Sequence, residues 1–189
     1  MPLTLTRRAL LLALAGGPAA LWAQAAVPAE VAAELPSAKL LGGGRLTFIG
    51  LAIYEARLWA GEGFKAEAYE QTPLAIELEY ARTLYGKLIA ERSLDEMKRA
   101  GDIKEAQAES WLATLKQTFP DVVKGDRITG VYRPGESARF FLNGKTIGEV
   151  RDAEFARRFF GIWLSPKTSE PKLRLALLGP QGGTTRLSP

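Results

Sequence analysis

Two stretches in which apolar and polar residues alternate constrain the fold most strongly. Residues 74–80 carry large apolar side chains at every second position, with glutamates at two of the positions between them. Residues 51–59 alternate in a similar way, and Gly50 separates them from another apolar stretch, residues 40–48. A period of two is typical of a strand with one buried face. The first part of the chain therefore predicts three strands, at residues 40–48, 51–59 and 74–80.

The apolar period changes to that of an amphipathic helix after the third predicted strand. One apolar stripe predicts a helix over residues 84–99, which Gly101 ends. Ser93 begins a capping pattern at which this helix could restart. A second predicted helix covers residues 103–119, and Pro120 closes it because proline cannot continue a helix.

Three short strands are predicted next, at residues 126–132, 138–142 and 146–150. Pro134-Gly135 and Asn143-Gly144 separate them. Asn-Gly between apolar stretches is a strong signal for a β-hairpin. This part of the chain therefore adds a second block of strands.

Two more helices complete the predicted order. Asp152 caps a helix that runs to about Leu164, and residues 170–178 form a last helix ended by Gly179. The predicted order is a block of strands, a pair of helices, a second block of strands and a second pair of helices. This order favours an α+β fold with helices layered on a mostly antiparallel sheet. The order lacks the βαβ alternation of a nucleotide-binding fold.

The absence of cysteine and histidine restricts the chemistry of any site. Nucleophilic catalysis by Cys–His or Ser–His pairs needs an imidazole base, and common zinc sites need thiolate or imidazole ligands. We therefore expect no metal and no cofactor. Any acid–base work would fall to Tyr, Lys, Arg, Asp or Glu.

The N-terminus has the pattern of an export signal. Arg7 and Arg8 precede an apolar stretch that begins at residues 10–14, and Ala23-Gln24-Ala25 matches a cleavage site. Residues 1–25 are therefore predicted to be a cleavable signal peptide, either of the twin-arginine type or an ordinary Sec signal. A retained anchor is the alternative. We expect a periplasmic or secreted bacterial protein with no stable membrane span after cleavage.

The remaining chain divides into a lead-in, one domain and a tail. Residues 26–37 are predicted to be a loose lead-in, residues 38–179 the domain, and residues 180–189 a flexible tail. Without the two signal arginines, the 25 basic residues become 23 against 21 acidic ones, a formal charge of about +2. That balance is not typical of nucleic-acid binding.

Several short motifs, taken in order, resemble the chalcone isomerase-like family across residues 36–179. They are Gly42–Arg45, Ile53-Tyr54, Leu58-Trp59, Tyr85-Gly86, Ile89–Ser93, Phe140–Lys145 and Phe159–Leu164. The resemblance implies an open-faced β-sandwich, in which a layer of helices covers a large antiparallel sheet. It also implies a ligand cleft between the sheet and the helices.

The resemblance also implies site residues. Arg45 matches an arginine that stabilises an oxyanion in the family's enzymes and grips a carboxylate in its fatty-acid-binding members. Tyr54 falls where the lipid binders carry a tyrosine, and Tyr85 matches the tyrosine that orders a water in the enzymes. Two enzyme residues are replaced, a lysine by Ile76 and an asparagine by Arg92, which argues against chalcone cyclisation.

Three functions remain open from the sequence. The first is a non-catalytic binder of a small amphipathic or aromatic acid, such as a fatty acid, with Arg45, Tyr54, Tyr85 and Arg92 as ligand-binding residues. The second is an isomerase or intramolecular lyase with an unknown substrate, in which Arg45, Tyr54 and Tyr85 would be catalytic. The third is a cell-envelope interaction protein with a vestigial cleft. The sequence does not predict the oligomeric state.

Overall fold

The computed structural model describes residues 26–180, so the predicted signal peptide and all but the first residue of the predicted tail lie outside it. The strands are β1 (Lys39–Phe48), β2 (Leu51–Ala60), β3 (Leu74–Tyr80), β4 (Arg127–Arg133), β5 (Ser137–Leu142) and β6 (Lys145–Val150). The helices are α1 (Ala29–Glu34), α2 (Gly86–Lys98), α3 (Glu105–Thr118), α4 (Ala153–Leu164) and α5 (Pro171–Leu178). A short 3-10 segment, Ala66–Gln71, lies between β2 and β3.

The six strands form one antiparallel sheet in which every strand pairs with its neighbours in the sequence, in the order β1 to β6. Asn143 and Gly144 form the predicted hairpin, with φ values of 49° and 83° that suit a tight two-residue turn. The α+β class and the antiparallel sheet covered by helices are therefore confirmed.

The main core lies between one face of the sheet and helices α2 to α5. The alternation of β3 directs Leu74, Ile76, Leu78 and Tyr80 into this core. Helix α4 begins where predicted, because an Asp152 carboxylate oxygen accepts two backbone N–H groups of its first turn. Its Phe159 then packs edge to face against Phe140 of β5 and stacks on Phe155 of the same helix.

The opposite face of the sheet carries helix α1, where the sequence predicts a loose lead-in. Val31 is fully buried there in a small apolar cluster with Trp59 and Val131. Glu34 accepts hydrogen bonds from Arg133 at 2.5 Å and from Arg139 at 2.6 Å. Six residues are too few for a helix to be stable alone, so these tertiary contacts hold α1 in place.

The predicted restart at Ser93 is wrong, because α2 continues through it without a break. The Ser93 hydroxyl donates to the carbonyl of Ile89, four residues back, instead of capping a new helix. No helix within residues 26–180 combines the length and apolar character needed to cross a membrane.

Candidate ligand-binding cavity

A cavity of about 330 Å³ lies between the sheet and helices α2 and α4. Most of its lining is apolar and comes from strands β1 to β4, from α2 and from α4. The apolar lining residues are Leu46, Phe48, Ile53, Leu78, Leu84, Leu88, Ile89, Phe119, Ile128, Ile162 and Trp163. The polar ones are Tyr54, Tyr80, Arg92, Ser93, Glu96, Ser169 and Glu170.

A β-bulge shapes the sheet wall of this cavity. Thr47 pairs with Ala52, whereas Leu46 pairs with Tyr54, so Ile53 has no partner on β1. This extra residue shifts the register by one for the pairs from Leu46–Tyr54 to Gly42–Leu58. Ile53 and Tyr54 both line the cavity as a result, although they are consecutive in the chain.

Tyr54 is one of the polar groups of the cavity wall. Its hydroxyl oxygen accepts a hydrogen bond from the indole N–H of Trp163 at 3.1 Å. Burial raises the pKa of Tyr54 to about 12, although the Trp163 hydrogen bond acts in the opposite direction. The hydroxyl is therefore neutral near physiological pH, and it can donate its proton in a hydrogen bond.

Tyr80 lies next to Tyr54 at the end of β3. The two rings are arranged edge to face, with centroids 6.1 Å apart. Burial strongly raises the pKa of Tyr80. Its hydroxyl makes no hydrogen bond with any other residue in the range 26–180, and the side chain lines the cavity. The cavity wall therefore holds a second neutral hydroxyl with hydrogen-bonding capacity to spare.

A charged cluster on α2 forms the polar side of the cavity. Arg92 and Glu96 are one helical turn apart, and Arg92 Nη2 lies 2.6 Å from Glu96 Oε1. Arg99 Nε lies 3.6 Å from the other oxygen, Glu96 Oε2, which accepts no hydrogen bond from the described residues. The Glu96 side chain is 8% exposed, whereas that of Arg92 is 68% exposed. Arg92 therefore reaches from a buried carboxylate towards solvent at the mouth.

The structure does not bring Arg45 to this cavity. Arg45 pairs with Glu55 across the β1–β2 ladder, and the two side chains form an ion pair. Glu55 is adjacent to Tyr54, so it points to the opposite face of the sheet. Without the bulge at Ile53, the tight hairpin would place Arg45 directly across from Tyr54 on the same face. The bulge therefore separates the arginine and the tyrosine that the resemblance implies would act together.

Tyr85 also lies apart from the cavity lining. It precedes the first residue of α2, and 63% of its surface is exposed. Arg45, Tyr54 and Tyr85, the catalytic set of the isomerase hypothesis, are therefore not gathered around one point. Of the four residues that the sequence singles out for ligand binding, Tyr54 and Arg92 line the cavity.

Sequence reasoning did not assign Tyr80, Glu96 or Trp163 to the site. Tyr80 ends a strand whose inward face is evident from its alternation, and Glu96 lies four residues after Arg92, the spacing of an ion pair on a helix. Trp163 looks like an ordinary core residue in the sequence. Only the fold shows that its N–H reaches Tyr54.

A second cavity, of about 260 Å³, lies near Arg157 and Arg158. Arg158 donates to Glu154 and to two backbone carbonyls, and Arg157 pairs with Glu70 at 3.4 Å. The two arginines in this cavity therefore already have partners. The apolar cavity at Tyr54 is the better candidate for a ligand site.

Comparisons with known proteins agree with this architecture. The family described as chalcone isomerase-like matches residues 20–179. A Haemophilus influenzae protein of uncharacterized function is 28% identical over 139 residues, which are 74% of this chain and 67% of that protein. The crystal structure of an Arabidopsis thaliana fatty-acid binding protein superposes with a TM-score of 0.58 at 14% identity, covering 77% of this chain and 89% of that one. Because the family match spans most of the 189 residues of this chain, the chain belongs to the chalcone isomerase-like family.

Proposed function

We propose that the protein binds a small amphipathic carboxylic acid, such as a fatty acid, in the cavity at Tyr54. The apolar part of the ligand lies between the sheet and α2, and the acid group lies at the mouth near Arg92. The observation that carries the proposal is an apolar cavity with one partly solvated arginine and a neutral tyrosine hydroxyl along its wall.

The lining and volume suit the apolar part of such a ligand. Small-molecule sites are mostly apolar clefts of roughly 300–1,000 Å³ with a few placed polar groups. At about 330 Å³, this cavity is at the lower end of that range. A short or medium acyl chain therefore fits it better than a long one.

The unused donors of Arg92 suit an anion. Arg92 and Arg99 bring two positive charges to the carboxylate of Glu96, and Glu170, which also lines the cavity, adds a second negative charge, so these four side chains balance. The ion pair with Glu96 involves Nη2 of Arg92, and a guanidinium has five N–H donors. Its remaining donors can hold a carboxylate, for which the planar guanidinium is well shaped.

The hydroxyl of Tyr54 lies within the electrostatic influence of this cluster. The charges of Glu170 and Glu96 raise the pKa of Tyr54, and the charge of Arg92 lowers it. Its oxygen already accepts from Trp163, so its proton is directed elsewhere and can be donated to a ligand oxygen. Tyr54 and Arg92 would therefore share the acid group of one ligand.

The fatty-acid binding protein of Arabidopsis thaliana, which shares the fold, supports a binding function. The catalytic alternative needs Arg45, Tyr54 and Tyr85 around one substrate, and only Tyr54 lines the cavity. Tyr54, with its raised pKa, is also poorly suited to exchange a proton near neutral pH. These observations favour the binder.

Native mass spectrometry of protein isolated from a bacterial host tests the proposal, followed by denaturing extraction and identification of any released compound. We expect a stoichiometric amphipathic acid on the unaltered protein and its loss in Arg92→Ala. Arg45→Ala, the same substitution on the other face of the sheet, should keep the ligand. Ligand-free protein that also fails to take up any acid of an acyl-chain series would refute the proposal.

A further inference from the structure

The exposed apolar side chains of the protein are concentrated at one end of the sheet. Within residues 26–180, eight large apolar residues are exposed, and six of them form what we call the apolar end. The six are Phe48, Ile49, Leu51, Tyr85, Leu88 and Val123. Ile49 is the most exposed of them, at 82%. Scattered exposed apolar residues are ordinary, whereas a cluster of this kind marks an interaction surface.

Backbone hydrogen bonds hold the segments of the apolar end together. The N–H of Ala81 donates to the carbonyl of Ile53 at 2.9 Å, which joins the β1–β2 hairpin to the segment before α2. Leu84 and Val122 then exchange two hydrogen bonds of 3.0 and 2.9 Å. The six side chains therefore belong to one continuous end of the fold.

The turn at the tip of this end has a strained backbone that lowers the stability of the fold. Ile49 and Gly50 form a two-residue turn with φ values of 47° and 75°, close to those of Asn143 and Gly144 in the β5–β6 hairpin. Asparagine is preferred at the first position of such a two-residue turn. A positive φ is strongly disfavoured for a β-branched residue such as isoleucine. The β1–β2 turn thus has a strained isoleucine, 82% exposed, at the position that asparagine occupies in the β5–β6 turn. A strained, exposed residue of this kind indicates a role in contact with a partner.

The apolar end also borders the mouth of the cavity. Phe48 and Leu88 belong both to the apolar end and to the cavity lining, as the exposed members of its apolar wall. A partner that covers this end would therefore cover the entrance through which a ligand reaches Tyr54.

Unpaired cations accompany the apolar side chains. Arg82 and Lys124 are exposed and form no ion pair with any residue in the range 26–180. The two carboxylates nearby keep their negative charges but pair with neither cation. Asp121 accepts the N–H of Gly86 at 2.8 Å, and Asp126 accepts the N–H of Val123 at 2.8 Å. Apolar side chains beside free cations are complementary to an anionic lipid surface.

We propose that the apolar end docks on the surface of a bilayer that contains anionic lipids. The side chain of Ile49 and its neighbours would enter the boundary between headgroups and acyl chains, while Arg82 and Lys124 contact the headgroup anions. The purpose of this docking rests on the proposed function. With the mouth of the cavity against the bilayer, an amphipathic acid could pass between the bilayer and the cavity without crossing water.

Vesicle co-sedimentation of Ile49→Asn tests the apolar contact, because this change should stabilise the fold and weaken docking at the same time. We expect a higher melting temperature and about tenfold weaker binding to vesicles of phosphatidylcholine mixed with phosphatidylglycerol. Leu175→Asn, at an exposed leucine on α5, is the matched control and should bind as the unaltered protein does. Unchanged vesicle binding by Ile49→Asn would overturn the proposal.

The double variant Arg82→Gln with Lys124→Gln tests the charge contact. A cation near an anionic membrane contributes about fivefold to binding, so we expect a loss of about 25-fold on mixed vesicles at low salt. Lys65→Gln with Arg151→Gln removes the same two residue types at the opposite end of the sheet and should have no effect. An equal loss in both double variants would show general charge attraction and overturn docking through this end.

Ligand binding, measured with a fluorescent fatty acid in the absence of vesicles, separates this inference from the proposed function. Ile49→Asn should keep its affinity for the fatty acid while it loses vesicle binding. Unaltered protein that binds the acid but no vesicles would overturn docking alone, whereas vesicle binding without acid binding would overturn the proposed function alone. A dimer that Ile49→Asn converts to a monomer, seen by light scattering, would assign the apolar end to a second copy instead.

Discussion

The indole N–H of Trp163 donates to the hydroxyl oxygen of Tyr54 at 3.1 Å and joins helix α4 to the sheet inside the cavity. This hydrogen bond fixes the direction of the tyrosine proton, because the oxygen is already an acceptor for Trp163. Among residues 26–180, the hydroxyl has no acceptor of its own. The proton is therefore available to a ligand.

The ionisation of Tyr54 should differ from that of a solvated tyrosine. Burial raises its pKa from 10.0 to about 12. The ultraviolet titration of the unaltered protein minus that of Tyr54→Phe should therefore show a step near 12 and none near 10. Because the folded pKa is the higher one, Tyr54 contributes stability below pH 10 that is lost as the pH rises towards 12. A difference step at pH 10 would mean that the hydroxyl is solvated and would contradict its position in the cavity.

Filling the cavity should remove ligand binding without harming the fold. Ser93 is buried and lines the cavity, so Ser93→Leu would occupy part of its volume. We expect the affinity for a fatty acid to fall by at least about tenfold, while the free energy of unfolding stays level or rises by about 0.5–2 kcal/mol. Ser110→Leu, on the exposed side of α3, is the control. Full affinity in Ser93→Leu would mean that the acid binds elsewhere.

The close approach of α5 to β1 depends on Gly42. A Cβ atom at this position would lie 2.2 Å from the carbonyl oxygen of Ala176 and 2.6 Å from that of Leu177. Backbone atoms cannot yield as a flexible side chain can, so Gly42→Ala should force α5 away from the sheet. We expect a loss of about 3 kcal/mol or more in denaturant unfolding. A melting curve like that of the unaltered protein would show that α5 is not packed as described.

Helix α1 should make the stability depend on acid pH through Glu34. Burial alone would raise the pKa of Glu34, but hydrogen bonds from Arg133 and Arg139 outweigh it and hold the pKa below the ordinary 4.5. A lowered folded pKa contributes stability above the unfolded value, and this is lost as the pH falls from 4.5 through the folded pKa.

Chemical denaturation across this pH range checks the role of Glu34. Glu34→Gln should lose about 1–3 kcal/mol at pH 7, where charged hydrogen bonds are intact, and should approach the unaltered protein in acid. Glu136→Gln, at an exposed glutamate without an ion pair among the described residues, should behave as the unaltered protein at both pH values. A constant difference between Glu34→Gln and the unaltered protein at every pH would contradict the ionic attachment of α1.

Most of the fold could be predicted because its elements carry strong local signals. The alternation of residues 74–80, the Asn143-Gly144 turn and the Asp152 cap each act over a few neighbouring residues. Helix α1 could not be predicted in this way, because residues 29–34 are helical only through contacts of Val31 and Glu34 with distant strands.

The candidate site could be predicted only in part, because its geometry depends on a single extra residue. A two-residue turn at Ile49-Gly50 alone would place Arg45 opposite Tyr54 and so bring together two residues that the family resemblance implies contact the ligand. The bulge at Ile53 shifts the register and turns Arg45 to the other face of the sheet. The residues around Ile53 carry no sequence signal that predicts a bulge. The arginine that lines the cavity is therefore Arg92, which lies on helix α2, whereas Arg45 lies on strand β1.

Calorimetric titration of delipidated protein with dodecanoate tests the central claim most directly, with Arg92→Ala and Arg45→Ala compared under the same conditions. The cavity account predicts that Arg92→Ala weakens binding by roughly 10- to 100-fold, as expected for lost charged hydrogen bonds, while Arg45→Ala binds normally. Loss of binding in Arg45→Ala with full affinity in Arg92→Ala would contradict it and would move the acid group to the opposite face of the sheet.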